Sequence, residues 1–274
     1  MSLGIFCAVL FAALLHASWN AIVKLGGDKL LTTILVTGWA AVLSAIALPW
    51  LPAPAEASLP WLAASAVLQT GYYVSVARAY HSADMSLSYP LMRGCAPLLV
   101  AIAGTWLFNE HLSANAWSGI ALISAGILCM AGSSTARNIR LPLCIAVVIA
   151  TYTLVDAQGA RLSGNALSYT LWLFLLSGLP LPIWALFARR QQLGNYLRGN
   201  WQRGLVGGIG TTASYAIALW AMTIAPVAVI AALRETSILF ALLISALLLK
   251  EHISRKRQLA AALIITGVVL LRLA

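Results

Sequence analysis

Long apolar runs, each closed by a short polar corner, make up almost the whole chain. A helix that spans a bilayer needs about 20 predominantly apolar residues. Ten stretches meet that length: 2–24, 30–50, 59–80, 85–107, 114–132, 141–160, 165–187, 204–223, 227–249 and 257–273. The corners are sharpest between the second and third stretches, where Pro49, Pro52, Pro54 and Pro60 fall. The longest connections, 133–140 and 188–203, are polar and basic, and neither has room for a soluble domain. The pattern predicts an all-α integral membrane fold of ten transmembrane helices.

Part of this pattern is written twice. Residues 93–126 reappear at 234–267 with a constant offset of 141 and no gap, ten of the 34 positions being identical. Apolar identities arise easily by chance, so the weight rests on Arg93 and Arg234, Glu110-His111 and Glu251-His252, Ser113 and Ser254, and Gly126 and Gly267. Two homologous halves follow, 1–135 and 136–274, each a five-helix repeat. Because five is odd, the second half crosses the bilayer in the opposite sense. The expectation is a pair of inverted repeats around a central cavity, as in transporters that alternate access about a midplane site.

Composition supports the membrane assignment. Of 274 residues, 61% are hydrophobic and 9% charged, too little polar surface for a soluble globule. The net charge of +10 does not point to nucleic acid, because the bases sit in short connections between apolar runs, where anionic lipid headgroups are the natural counter-charge. Thirteen of them (Lys24, Lys29, Arg78, Arg137, Arg140, Arg189, Arg190, Arg198, Arg203, Lys250, Arg255, Lys256 and Arg257) fall in the odd-numbered connections, and only Arg161 and Arg272 on the other side. The positive-inside rule then places both termini outside the cytoplasm, in the periplasm of a bacterial-type inner membrane. Trp50, Trp61, Trp106, Trp117, Trp184 and Trp201 lie near expected helix ends, as interfacial anchors do. Cys7, Cys95, Cys129 and Cys144 have no metal-ligand spacing and read as small core residues. The first apolar run has no basic region before it and no cleavage site after it, so it reads as a retained helix.

The candidate chemistry lies in polar groups inside the spans. Arg93 and Arg234 each sit about a third of the way across the hydrocarbon, where an arginine costs about 2.5–3.5 kcal/mol on insertion scales. They either snorkel or bond to backbone carbonyls near a kink such as Pro90, or face a central cavity, where they neutralise an anionic substrate group or pair with a titratable carboxylate. Asp156 and Glu235 are the two carboxylates within spans, and each is either a structural partner or a proton-coupling group. His16, Asn20 and Lys24 form one polar stripe on the first helix, and His16 is a further coupling candidate. Gln69, Tyr72, Tyr73 and Val76, and Thr211, Thr212, Ser214 and Tyr215, look like cavity walls or interhelical bonding groups. Tyr73, Tyr89, Tyr215 and Asn20 are candidates for orienting substrate. Gly119 and Gly126 share a helix face and read as packing residues. Gly207-Gly208-x-Gly210 lacks the strand that a phosphate loop follows, and reads as packing too. No metal or hydrolase motif stands out, and no cofactor is expected.

These residues resemble a known family. HASWNA at 16–21, YPLMRG at 89–94 with Pro97, and the two LxxEHxS corners at 107–113 and 248–254 make the chain similar to ten-helix members of the drug/metabolite transporter (DMT) superfamily, EamA type. The resemblance implies a monomeric secondary-active exporter, not an enzyme, with a cavity lined by helices 1, 3, 4, 6, 8 and 9. Its expected partners are a small-molecule substrate, the lipid bilayer and protons as coupling ion, with no nucleic acid. Such members handle amino acids, other metabolites or toxic compounds, and two buried arginines favour zwitterionic or anionic metabolites, amino acids first. The alternatives are a multidrug exporter, a phosphonate-related permease suggested by the HASWNA opening, an intramembrane lipid-modifying enzyme, or an accessory scaffold subunit. Many such relatives are drawn with cytoplasmic termini, whereas the charge count here argues the reverse.

Overall fold

The computed structural model describes residues 1–82, 85–131, 139–248 and 254–274, with the side chains of all of these except 24–25, 74, 76–82, 85–87 and 248. The elements are helical throughout, with no strand among the described residues. In chain order the helices are α1 (Leu3–Leu25), α2 (Lys29–Ala47), α3 (Leu59–Ser82), α4 (Met85–Leu107), α5 (Ala114–Cys129), α6 (Arg140–Leu162), α7 (Ala166–Gly178), α8 (Pro180–Ala188), α9 (Arg190–Ile224), α10 (Val227–Arg234), α11 (Ser237–Leu248) and α12 (Arg255–Leu273). Four begin on a side-chain cap: Ser2, Asp28, Ser113 and Asn165 accept the backbone N–H of Ile5, Leu31, Ala116 and Ser168. Such a residue satisfies one of the donors that the first helical turn leaves unpaired.

Seven segments among the described residues are long and apolar enough to cross a membrane: Leu3–Val23, Lys29–Trp50, Ser88–Leu107, Arg140–Leu162, Ala166–Ala188, Arg190–Ile224 and Val227–Leu247. Their outer faces stay apolar, with Trp50, Trp106 and Phe187 at 77%, 86% and 87% exposure. Cys7, Cys129 and Cys144 point outward as well, and Cys95 is half-buried, which corrects the expectation of core cysteines. In a bilayer the outer face is as apolar as the core, so a small apolar residue has no preference for the inside.

Three expected elements differ from what the pattern predicts. The stretch 165–187 is two helices, because Pro180 lacks an N–H and starts a new helix after Leu179. The stretch 188–203 is not a loop: α9 runs unbroken for 35 residues from Arg190. The stretch 227–249 is interrupted after Arg234, where the N–H groups of Glu235 and Thr236 bond to the carbonyls of Ala232 and Leu233, three residues back, and the Thr236 hydroxyl donates to Leu233 as well. A hydroxyl that competes for a helix carbonyl in this way loosens the regular ladder. In α4 the chain stays helical through both Pro90 and Pro97.

Close packing holds the bundle at two seams. A Cβ on Gly119 would lie 2.8 Å from the Gly267 carbonyl, and one on Gly126 would lie 2.9 Å from that of Ala260, so α5 and α12 approach backbone to backbone. Gly208 brings α9 equally near α2, where a Cβ would meet the Ala40 nitrogen at 2.9 Å. Small residues at helix seams, with dispersion contacts in place of hydrophobic exclusion, are how helices associate in lipid. The packing readings of Gly119, Gly126 and Gly207-Gly208 agree with this arrangement.

Candidate substrate and coupling site

Arg93 and Arg234 line one small cavity between α4, α6 and α10, together with Tyr152 and Glu235. Arg93 lies eight residues after the start of α4 and Arg234 seven after the start of α10, about 12 Å and about 10 Å of helix rise. The cavity measures about 20 Å³, room for about one water molecule. An amino-acid-sized molecule enters it only if the helices or side chains part.

The two arginines have different partners. Arg93 is 8% exposed, and its Nε lies 2.9 Å from Oε2 of Glu235, itself 5% exposed. Neither atom makes a directed hydrogen bond, so the contact is a charge pair with the N–H off the line of centres. Nη2 of Arg93 also reaches the Ser237 hydroxyl at 3.5 Å. The break after α10 turns Glu235 and Ser237 toward α4, whereas sequence neighbours on a regular helix point about 100° apart. Arg234 is half-buried and has no carboxylate partner among the described residues. Its guanidinium sits 4.8 Å above the ring of Tyr215. A cation over an aromatic face gains about 0.5–2 kcal/mol, well short of a buried counter-ion.

Asp156 forms the second cluster. It is fully buried on α6 and accepts from Gln69 Nε2 at 2.9 Å and from the Tyr169 hydroxyl at 3.3 Å. The Tyr215 hydroxyl donates to the same carboxylate. Tyr215 therefore joins the clusters, with its hydroxyl on Asp156 and its ring under Arg234. Phe174 holds that ring edge to face at 5.9 Å.

The other candidates surround this centre. Tyr89 lies in the field of Arg93 and Glu235, and Tyr73 stands beside Tyr72, whose ring meets Tyr152 at 5.6 Å. His16 lies in the field of both arginines and accepts from Trp19 Nε1 at 3.3 Å. Asn20 donates its amide to the His16 carbonyl, so that donor is used within α1. Ser214 bonds the Ala12 carbonyl at 2.7 Å, an interhelical tie rather than a cavity wall. The residues Asp84, Arg137, Lys250, Glu251 and His252, and the side chains of Lys24, Val76 and Arg78, lie outside what is described.

Glu110, Arg161 and Tyr169 have roles that the sequence reading missed. Both Glu110 carboxylate oxygens accept the Val227 N–H at 3.0 Å, capping α10, and Oε1 accepts from Arg161 Nη2 at 2.8 Å. Arg161 in turn donates to the carbonyls of Met222 at 3.0 Å and Ala225 at 3.4 Å at the end of α9. This corner fixes the start of α10 and so the depth of Arg234. Its signal was the repeated Glu-His corner. Tyr169 carried no such signal, since its partner is 13 residues away on another helix.

Comparison with known proteins places this architecture. A solved structure described only as the crystal structure of a protein shares the fold, with a TM-score of 0.75 over 98% of this chain and 95% of that one at 17% identity. The uncharacterized protein y4nH of Sinorhizobium fredii (strain NBRC 101917 / NGR234) is 33% identical over 55 residues, which is 20% of this chain and 47% of that protein. The chain thus matches about half the length of that relative. The EamA-like transporter family matches at residues 2–132 and again at 139–273, so that nearly the whole chain is covered in two passes. The protein therefore belongs to the EamA-like transporter family, within the drug/metabolite transporter superfamily.

Proposed function

We propose that this multi-pass membrane protein is a secondary-active transporter of small anionic or zwitterionic metabolites, amino acids foremost, working by alternating access. In this reading ten spans form two inverted repeats, 1–135 and 136–274. Two spans are interrupted, at Leu179 and after Arg234. The protein acts as a monomer in a bacterial-type inner membrane with both termini in the periplasm, and exports where substrate is in internal excess.

The observation that carries the reading is Arg234: a half-buried cation on the cavity with an aromatic face beneath it and no carboxylate partner among the described residues. An arginine in hydrocarbon needs a counter-charge or acceptors, and a substrate carboxylate or phosphonate supplies one through the planar guanidinium fork. Lipophilic cations fit such a site poorly. Arg93, already paired with Glu235, sets the cavity wall, and Tyr89, Tyr73 and Asn20 orient the bound molecule.

Counterflow of an amino-acid and phosphonate panel in proteoliposomes tests this. Uptake of at least one compound is expected, lost in Arg234→Gln and partly kept in Arg234→Lys. No flux for any member of the panel, or unchanged flux in Arg234→Gln, contradicts the reading. A C-terminal alkaline phosphatase fusion is expected to be active, and an inactive one reverses the orientation.

A further inference from the structure

Asp156 is a fully buried carboxylate bonded by three uncharged donors, with the buried Ser65 hydroxyl beside it and no cation bonded to it. A carboxylate placed this way is stable ionised only as long as its donors stay aimed at it, and protonation removes the cost of burying its charge. Glu235 differs, because protonating it would strand the Arg93 charge. The His16 imidazole already has its Nδ1 occupied by Trp19.

We propose that Asp156 is the proton-binding site of the transport cycle and that Tyr215 is the positioning residue linking proton occupancy to the anion site at Arg234, so that proton and anion bind in concert. This rests on the anion reading of Arg234 given above. The groups facing Asp156 are Ser65, Gln69 and Tyr73 from α3, Tyr169 from α7 and Tyr215 from α9, with Tyr152 one turn earlier on α6. Arg234 is the charge reached through Tyr215.

The proton step balances simply: a proton from water at one face adds to a carboxylate oxygen, an O–H bond forms, and the same bond breaks to release it at the other face. The new O–H is a donor and needs an acceptor. The Gln69 amide nitrogen cannot accept, whereas a tyrosine oxygen can. A proton on Oδ2, the oxygen that Tyr215 and Gln69 share, is donated to the Tyr215 oxygen, and the tyrosine's own hydrogen must turn away. The negative charge behind the Tyr215 ring is then gone while Arg234 keeps its positive charge on the opposite side. The potential at the anion site rises. By linkage, a bound anion favours proton binding by the same factor, and the two move in the same direction.

Infrared difference spectra of the full-length protein in lipid nanodiscs test this during acid titration. The wild type is expected to gain a carboxylic-acid carbonyl band that Asp156→Asn lacks. In Tyr215→Phe the band should persist at a shifted frequency. Calorimetric affinity for L-glutamate or methylphosphonate should rise about tenfold from the alkaline to the acid end of that titration in the wild type, and little in Asp156→Asn or Tyr215→Phe. A spectrum without the band overturns the proton site, whatever the probes do. Probes that bind with the same affinity at both ends overturn the link through Tyr215. Absence of binding by both probes removes the anion site and with it the link, leaving the proton site to be judged by the band alone.

Discussion

Arg93 and Arg234 hold the same place in the repeated sequence and line the same cavity, yet one is paired with a carboxylate and the other is not. Arg93 meets Glu235 at 2.9 Å, and Arg234 meets the face of Tyr215 at 4.8 Å. The carboxylate that might have served Arg234, its immediate neighbour in the chain, is carried by the helix break to the arginine of the other half. A symmetric sequence thereby produces an asymmetric charge distribution. One half supplies a paired arginine and the other an arginine with no carboxylate partner among the described residues, which is what the proposed anion site needs.

The largest expected effect is on stability at Arg93. Arg93→Gln leaves the Glu235 charge buried without its partner, which costs about 3–5 kcal/mol. It should lower the thermal midpoint in detergent far more than Arg234→Gln does. The double variant Arg93→Gln/Glu235→Gln should recover most of that loss, since neither charge of the pair remains. Equal destabilisation by the two single arginine variants would erase the comparison.

A smaller effect is expected at the corner that sets the depth of Arg234. Glu110→Ala removes the cap of α10 and the partner of Arg161 together. The cap alone accounts for about 0.5–2 kcal/mol, and the partly exposed ion pair adds little. Hydrogen exchange should rise at Val227 and the first turn of α10 while α5 and α12 stay protected. Uniform loss of protection would show that the corner does not act locally.

Arg234→Gln itself should lower stability by about 0.5–2 kcal/mol, the size of a lost cation–π contact. Ser237→Ala should do least, within about 0.5 kcal/mol, because its bond to Arg93 is long at 3.5 Å. A larger loss at Ser237 would mean that the hydroxyl, and not Glu235, holds Arg93 in place.

Much of the fold was legible in the pattern. Apolar length located the seven segments that are long and apolar enough to cross a membrane, and the repeated Arg, Glu-His and Gly positions pointed to the residues that now line the cavity, cap α10 and join α5 to α12. The helix interruption after Arg234 was not legible, because it depends on i–3 hydrogen bonds and the Thr236 hydroxyl within an apolar run of the right length for one helix. The pairing of Glu235 with Arg93 follows from that break and was hidden with it. Asp156 was recognisable as an unusual carboxylate, but its donors come from α3, α7 and α9, and no sequence spacing relates them. The continuous α9 was obscured by the polarity of 190–203, which reads as a connection until its lack of proline is given weight.

In the proposed transport cycle Arg234, rather than its repeat counterpart, binds substrate charge. Counterflow per folded molecule, measured side by side for Arg234→Gln and the charge-neutral double variant Arg93→Gln/Glu235→Gln, tests it most directly. Arg234→Gln should lose at least tenfold, equivalent to about 1.4 kcal/mol or more of binding, while the double variant keeps most of its flux. The opposite ranking, with transport surviving in Arg234→Gln and lost in the double variant, would contradict it.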